Sequence, residues 1–195
     1  APSAAEVVYQ YYGGDEVFPG YFTAMMNGAN KADSADFSEE DILSPRGWAL
    51  LSFLMDSRTG LGRFRDFRIS NYQLKMDLIE YCARHNIDEI LELPDIKERT
   101  ELYFRYEKDF KEQLIRCTTV KDNLLIIDYR NEEIIYPGNR FLVYAMHPKQ
   151  NISIHVIWGK DKQNIVFSTG KSIINKSSNT NIGELMLKYD GGGHK

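Results

Sequence analysis

The feature that most constrains this chain is a change of hydrophobic period near its middle. Up to about residue 115 the apolar residues recur at helical spacing. Leu74, Leu78, Ile79 and Cys82 share one stripe, and Tyr103, Tyr106, Phe110 and Leu114 share another. Beyond that point the spacing is that of strands. Asn123-Leu124-Leu125-Ile126-Ile127-Asp128 is a continuous apolar run, the pattern of a central strand covered on both faces. Asn151 to Trp158 alternates, with Ile152, Ile154, Val156 and Trp158 on one face. A sequence written for one period cannot bury the same residues in the other. The chain is therefore predicted to be α/β: a helical first half, a long linking helix, and a small mixed α/β domain from about residue 116 onward.

Local punctuation fills in that outline. Ser3-Ala4-Ala5-Glu6 reads as a capping box opening a helix that carries Val7, Val8 and Tyr11 and stops at Gly13-Gly14. Asn27 to Asp36 reads as a polar loop. Ser38 caps a segment with Glu39, Glu40 and Asp41 in its first turn, where the helix dipole favours them. Pro45 suits the first turn of the next helix, which carries Trp48, Leu51, Phe53, Leu54 and Met55. The glycines of Thr59 to Arg68 break that pattern, and helical spacing resumes over Asn71 to His85. A turn at Pro94-Asp95 precedes one long charged helix over about 95–115, with a hinge expected near residues 90–100. In the second half, Asn139 to Met146 reads as a short amphipathic helix. A hairpin turns at Gly159 to Lys162 into a strand over Asn164 to Ser168, and a last helix spans Ile182 to Tyr189.

Composition sets limits on function. With 195 residues, 43% of them apolar, the chain can bury the core of one large domain or two small ones. A net charge of −4 excludes a wholesale coat for duplex DNA, so any nucleic-acid contact should be local. Cys82 and Cys117 form neither a disulfide framework nor a CxxC metal pair and read as structural thiols. The apolar runs are too short to span a bilayer and no signal peptide is evident, so a soluble, cytoplasmic protein with no membrane partner is expected. The chain opens Ala1-Pro2-Ser3 without a methionine and closes inside a glycine run, which reads as a fragment.

Four groups of residues could carry chemistry. Gly191-Gly192-Gly193 lets a backbone approach a ligand and aim several amides at one anion, and His194 adds a proton donor; a flexible tail or helix cap is the plain alternative. Upstream, Phe167-Ser168-Thr169-Gly170-Lys171-Ser172 forms a second cluster suited to anions. Its Gly-Lys-Ser resembles the end of a P-loop, but Ile165 stands where that motif needs glycine, so a nucleotide triphosphatase is rejected. Arg63, Arg65 and Arg68 interleave with Phe64 and Phe67, as a phosphate clamp with stacking rings would, or as a packing strand with solvated charges. Asp33 and Asp36 flank a Ser-Ala pair and read as either metal ligands or turn residues. His85, His147 and His155 lack metal-ligand spacing and are assigned to structure.

Three stretches, Phe167 to Ile174 (FSTGKSII), Asn181 to Leu185 (NIGEL) and Tyr189 to Lys195 (YDGGGHK), resemble the C-terminal associated domain (DHHA1) of the DHH phosphoesterases, whose hallmark is a GGGHxxAAG loop. Ala1 to Ala5 (APSAA), Lys31 to Ala35 (KADSA) and Thr59 to Phe67 (TGLGRFRDF) are similar to the catalytic domain of the oligonucleotide and cyclic-dinucleotide branch of that family. The resemblance divides the chain into the C-terminal part of a catalytic domain (1–93), a linker helix (94–115) and a substrate-binding domain (116–195). It implies a manganese-dependent hydrolase of short oligonucleotides (nanoRNA) or of cyclic or linear dinucleotides, related also to exopolyphosphatases. Two metal ions would activate water and neutralise the phosphate. By motif position Asp33 is the last metal-ligand aspartate. Gly191, Gly192, Gly193 and His194 carry over to the substrate loop, with Ser168, Lys171 and Ser172 beside it; Arg63 and Arg65 would join as phosphate contacts. The name-giving Asp-His-His triplet is absent from the sequence, and Asp190 stands where many relatives have a fourth glycine. Most of the manganese site is thus expected outside the chain, which should be inert alone. A non-catalytic nucleotide- or RNA-binding module is the alternative, and a homodimer through the long helix is the structural one.

Overall fold

The computed structural model describes residues 1–193. They divide into two compact units: Ala1–Lys108 with Pro137–Arg140, and Asp109–Tyr136 with the residues from Phe141 onward.

The first unit is helical. It contains α1 (Ala4–Tyr11), α2 (Gly20–Ser34), α3 (Glu39–Leu43), α4 (Gly47–Met55), α5 (Asn71–Arg84), α6 (Ile87–Leu91) and α7 (Pro94–Arg105). α4 is apolar nearly all round and is the hub. Leu50, Leu51 and Leu54 pack with Leu61, Leu74, Leu78, Ile90, Ile96 and Tyr103 in one cluster. Pro137–Arg140 returns to this unit: Gly138 donates its N–H to the Thr59 carbonyl (2.9 Å), and Arg140 reaches the Asp56 carboxylate (3.1 Å).

Several expectations are corrected here. The run Asn27 to Asp36 is not a loop but the second half of α2. Tertiary contacts outweigh its weak propensity. Asn30 donates to Glu6 (2.8 Å) and accepts from Ser3 (2.5 Å), Lys31 pairs with Asp41 (2.9 Å), and Ala35 ends the helix in a left-handed turn at φ 52°. Gly28 sits in this helix because Trp48 crosses there; a Cβ would lie 2.6 Å from the Trp48 Cβ. Only half of the first capping box forms. Ser3 accepts the Glu6 N–H, but the Glu6 carboxylate is drawn away to Asn30 and Gln10. The full reciprocal box appears instead at Ser38/Asp41 and at Asn86/Glu89. Pro45 precedes the cap residue Arg46 rather than entering the helix. Ile79 faces solvent, so the α5 stripe is narrower than its spacing implied. The charged segment expected as one helix over 95–115 forms two, α7 and α8 (Glu107–Cys117). Tyr106 leaves helical geometry between them, its ring tilted against Phe64 at 5.5 Å.

The second unit is built on a four-stranded mixed sheet, as the change of period requires. β1 (Thr118–Lys121) turns at Asp122 (φ 52°) into β2 (Leu124–Asp128). The chain crosses over through α9 (Leu142–Met146) to β3 (Ile152–Trp158). It then returns as β4 (Ile165–Lys171) and ends in α10 (Ile182–Leu187). The order is β1-β2-β3-β4, with β2 and β3 parallel and the outer pairs antiparallel. The apolar run therefore is an interior strand, with Leu125 and Ile127 fully buried. β1 escaped the sequence reading because Thr118 to Lys121 is short, polar and at the edge. The helix expected from Asn139 begins only at Leu142 and is buried rather than amphipathic, since Leu142, Val143 and Tyr144 all face the core. Gln113 of α8, fully buried, ties down the crossover. It donates to Glu132 (2.6 Å) and to the Ile134 carbonyl (2.7 Å) and accepts the Tyr136 N–H (3.0 Å).

Candidate substrate-binding site

The end of the described chain is where the sequence places the substrate loop. α10 is capped by its own C-terminal turn: the Met186 carbonyl accepts the Tyr189 N–H (3.0 Å) and the Gly191 N–H (2.9 Å). Asp190 takes the left-handed conformation, φ 58°, where glycine would be least strained. The three glycines are not equivalent. Gly191 uses its amide in the cap, and a Cβ there would lie 3.1 Å from the Met186 carbonyl oxygen. Gly192 has open space around it, and Gly193 meets nothing closer than the Gly183 Cα at 3.9 Å. Gly192 and Gly193 are exposed, and their amides carry no hydrogen bond to another of the described residues. Two donors, not three, are thus open to an anion. His194 lies outside the described residues.

The second cluster is split by strand geometry. Ser168 and Lys171 are three apart on β4, so their side chains point to opposite faces. Ser168 stands opposite His155, on the face where Gly170 makes room for the Tyr144 hydroxyl, itself bonded to Ser153 (2.7 Å). Lys171 stands opposite Ile152, without a carboxylate partner among the described residues. Ser172 is buried, and its hydroxyl accepts the N–H groups of Ile174 (3.2 Å) and Asn175 (2.9 Å) in a tight turn. No helix starts directly after Gly170-Lys171-Ser172, the next being α10 at Ile182, consistent with rejecting a P-loop.

In the first unit, residues 63–68 form no strand. After a 3-10 turn at Leu61–Arg63 the segment is irregular. Arg63 folds over Gly60, where a Cβ would collide with its guanidinium at 1.8 Å. Arg65 is exposed and has no partner among the described residues. Arg68 donates its backbone N–H to Glu98 (3.2 Å) and lies 3.9 Å from Asp95. Phe67 lies under the Arg99 guanidinium, 4.1 Å from the ring centroid. Arg99 is the residue the sequence reading missed. It is 0% exposed and bonds Asn71 Oδ1 (2.8 Å), the Asp95 carbonyl (2.6 Å), Glu98 (2.8 Å) and the Ile69 carbonyl (2.7 Å). Its place on the buried stripe Ile96, Arg99, Tyr103 was the available signal, a cation at a core position of a helix.

Asp33 is exposed near the end of α2. Among the described residues no three His, Cys, Asp or Glu side chains gather as a metal site would require. The residues present therefore do not fit a two-manganese centre by themselves. Both cysteines are free and half-buried; burial pushes the Cys82 thiol up, and burial with the Glu132 bond pushes Cys117 up to about 11, so neither is a poised nucleophile. Glu132 is held down to about 2 by Arg116 and Gln113. No helix among the described residues is long and apolar enough to cross a membrane.

Comparison with known proteins places this architecture beside the phosphodiesterases. The whole chain matches the solved structure of a pGpG-specific phosphodiesterase, PggH from Vibrio cholerae, with 59% identity and a TM-score of 0.87. Identity of that order over all 195 residues is homology. The chain spans 65% of the length of that relative. No family model matches the sequence, and no curated protein does.

Proposed function

We propose that the protein is a phosphodiesterase of short linear dinucleotides, with pGpG as its substrate. The observation that carries this reading is the 59% identity to a pGpG-specific phosphodiesterase across every residue of the chain. In this reading the second unit binds substrate. The open amides of Gly192 and Gly193 meet a phosphate oxygen, and Lys171 supplies a positive charge without a competing carboxylate. Arg65, exposed and without a partner among the described residues, is a further phosphate contact, and Asp33 contributes one carboxylate toward manganese. Cleavage needs more ligands than the described residues gather, and that observation favours one rival, a module that binds nucleotides without hydrolysing them.

The two are separated by incubating the protein with pGpG and manganese and resolving the products by ion-exchange chromatography. Release of GMP supports the hydrolase. Binding of pGpG by calorimetry with no GMP over hours supports the binding module. Turnover of inorganic polyphosphate with pGpG left intact would overturn both.

A further inference from the structure

The β3–β4 hairpin carries a feature that the fold does not use. In the antiparallel register Trp158 stands opposite Ile165, Val156 opposite Phe167, and Ile152 opposite Lys171. These residues share one face, because partners and every second residue along a strand lie on the same side. Val156 is buried, yet Trp158 is 39% exposed and Phe167 is 55% exposed. Two large rings, one on the interior strand β3 and one on the edge strand β4, thus adjoin a buried valine and remain open to solvent. Neither makes a ring contact with the other or with any further aromatic among the described residues. Trp158 donates its indole N–H to the Arg130 carbonyl (3.0 Å), so it is already fixed in place.

The charge around them is net positive. Asp128, in register with Val156 on the same face, is neutralised by Arg130 (2.6 Å). Lys160 and Lys162 at the hairpin turn and Lys171 at the far end of β4 then face one further acid, Asp161, in a chain whose net charge is −4. None of the three lysines has a carboxylate partner among the described residues. Diagonal neighbours on one face of a sheet are about 7–8 Å apart. That is about twice the 3.4 Å rise of stacked bases, the separation that admits one flat ring between two others.

We infer that the face bearing Trp158 and Phe167 is a stacking platform for a nucleobase, with Lys160, Lys162 and Lys171 attracting the adjoining phosphate. This rests on the dinucleotide reading above and deepens it: one base of the ligand is held on the hairpin while the phosphate is held by the glycine loop. Aromatic rings with interleaved cations fit a single-stranded nucleotide better than an apolar peptide, which would leave three lysines uncompensated.

The test uses the two tryptophans as reporters. In a Trp48→Phe background Trp158 is the only tryptophan, and titration with pGpG should quench its emission, excited at the red edge where tyrosine does not absorb. Phe167→Leu and Trp158→Leu should weaken pGpG binding, measured by calorimetry, on the order of 10-fold to 100-fold, while Phe167→Tyr, which keeps a ring, should retain affinity. Affinity for ribose 5-phosphate, which has no base, should not change in the leucine variants. If wild-type protein binds pGpG but Trp158 stays silent and the leucine variants bind equally well, the platform is refuted and the dinucleotide reading survives. If wild-type protein does not bind pGpG, both fall. A change in sedimentation of the leucine variants with unchanged affinity would make the hairpin a contact between copies, and also refutes the platform.

Discussion

Replacing Arg99 with methionine keeps most of the side-chain volume and removes the guanidinium. The Ile69 carbonyl and the Asn71 amide oxygen would then lose their donor at a site where Arg99 is fully buried, while the Asp95 carbonyl keeps the backbone N–H of residue 99 within α7. An orphaned buried acceptor costs about 1–3 kcal/mol, so two of them cost roughly 2–6 kcal/mol. Removing the cation also relieves its own desolvation, several kcal/mol in the opposite direction. Glu98 keeps partial access to water, so its freed carboxylate adds little. The net expected loss is about 3 kcal/mol, near the lower end for breaking a buried ionic network. For a unit of this size that corresponds to a fall in Tm of about 10 °C. Trp48 lies in the first unit and Trp158 in the second, so urea unfolding followed by fluorescence in a Trp158→Phe background reads the affected unit alone. Arg99→Lys should recover less than half of the loss, because an ammonium cannot span the four acceptors as a planar fork does. A loss below about 1 kcal/mol in Arg99→Met, with an unchanged m-value, would show that these acceptors are not held as the geometry implies.

Gly28→Ala should destabilise by about 1–3 kcal/mol in urea unfolding, although alanine is the better helix former, because its Cβ would collide with Trp48; a gain in stability would refute the close crossing. In the tail, Gly191→Ala should weaken protection of its own amide in hydrogen exchange, since Met186 crowds that position, whereas Gly192→Ala should leave exchange unchanged and lower pGpG affinity. Equal effects of the two on affinity would refute the division of labour among the glycines. Glu132→Gln should show a pH signature. The carboxyl is depressed from 4.5 to about 2 in the folded chain by Arg116 and Gln113, so its contribution is present above pH 4.5 and is lost as pH falls toward 2. The stability gap between wild type and variant should therefore be constant from pH 7 to 5 and close below that, measured by urea midpoints; a gap that widens on acidification contradicts the assigned partners.

What the sequence shows of this fold follows from which interactions are local. The change of period is a property of neighbouring residues, so the helical first half, the interior strand β2 and the hairpin were legible. The serine caps at Ser3 and Ser38 were legible for the same reason, whereas the asparagine caps at Asn86 and Asn181 were not read. The run Asn27 to Asp36 was not, because what holds it helical is distant: Ser3 and Glu6 on one side, Asp41 and Trp48 on the other. β1 was invisible because an edge strand with Val120 as its one apolar residue shows no apolar alternation. Arg99 was hidden by its residue type, since an arginine in a charged helix reads as solvated until its four acceptors are seen.

The candidate site shows the same limit at finer scale. A glycine triplet in sequence offers three amides to an anion, but helix α10 takes the first one for its own cap and leaves two. Ser168, Lys171 and Ser172 are contiguous enough to look like one anion cluster, yet a period of two sends Ser168 and Lys171 to opposite faces, and the turn after β4 uses the Ser172 hydroxyl. What survives on one face is Lys171 with Phe167 and, across the ladder, Trp158. A binding surface made of a lysine, two rings and two free amides recognises the common parts of a nucleotide, its charge and its flat base. Discrimination among bases then has to come from hydrogen-bonding groups that meet the base edge, and Ser168 and His155 project from the opposite face of the sheet. Selectivity for guanine over adenine in a matched pair, pGpG against pApA, should therefore be unaffected by Phe167→Tyr even where affinity for both shifts together. A variant that changed the ratio of the two affinities would show the platform to read base identity as well as base shape.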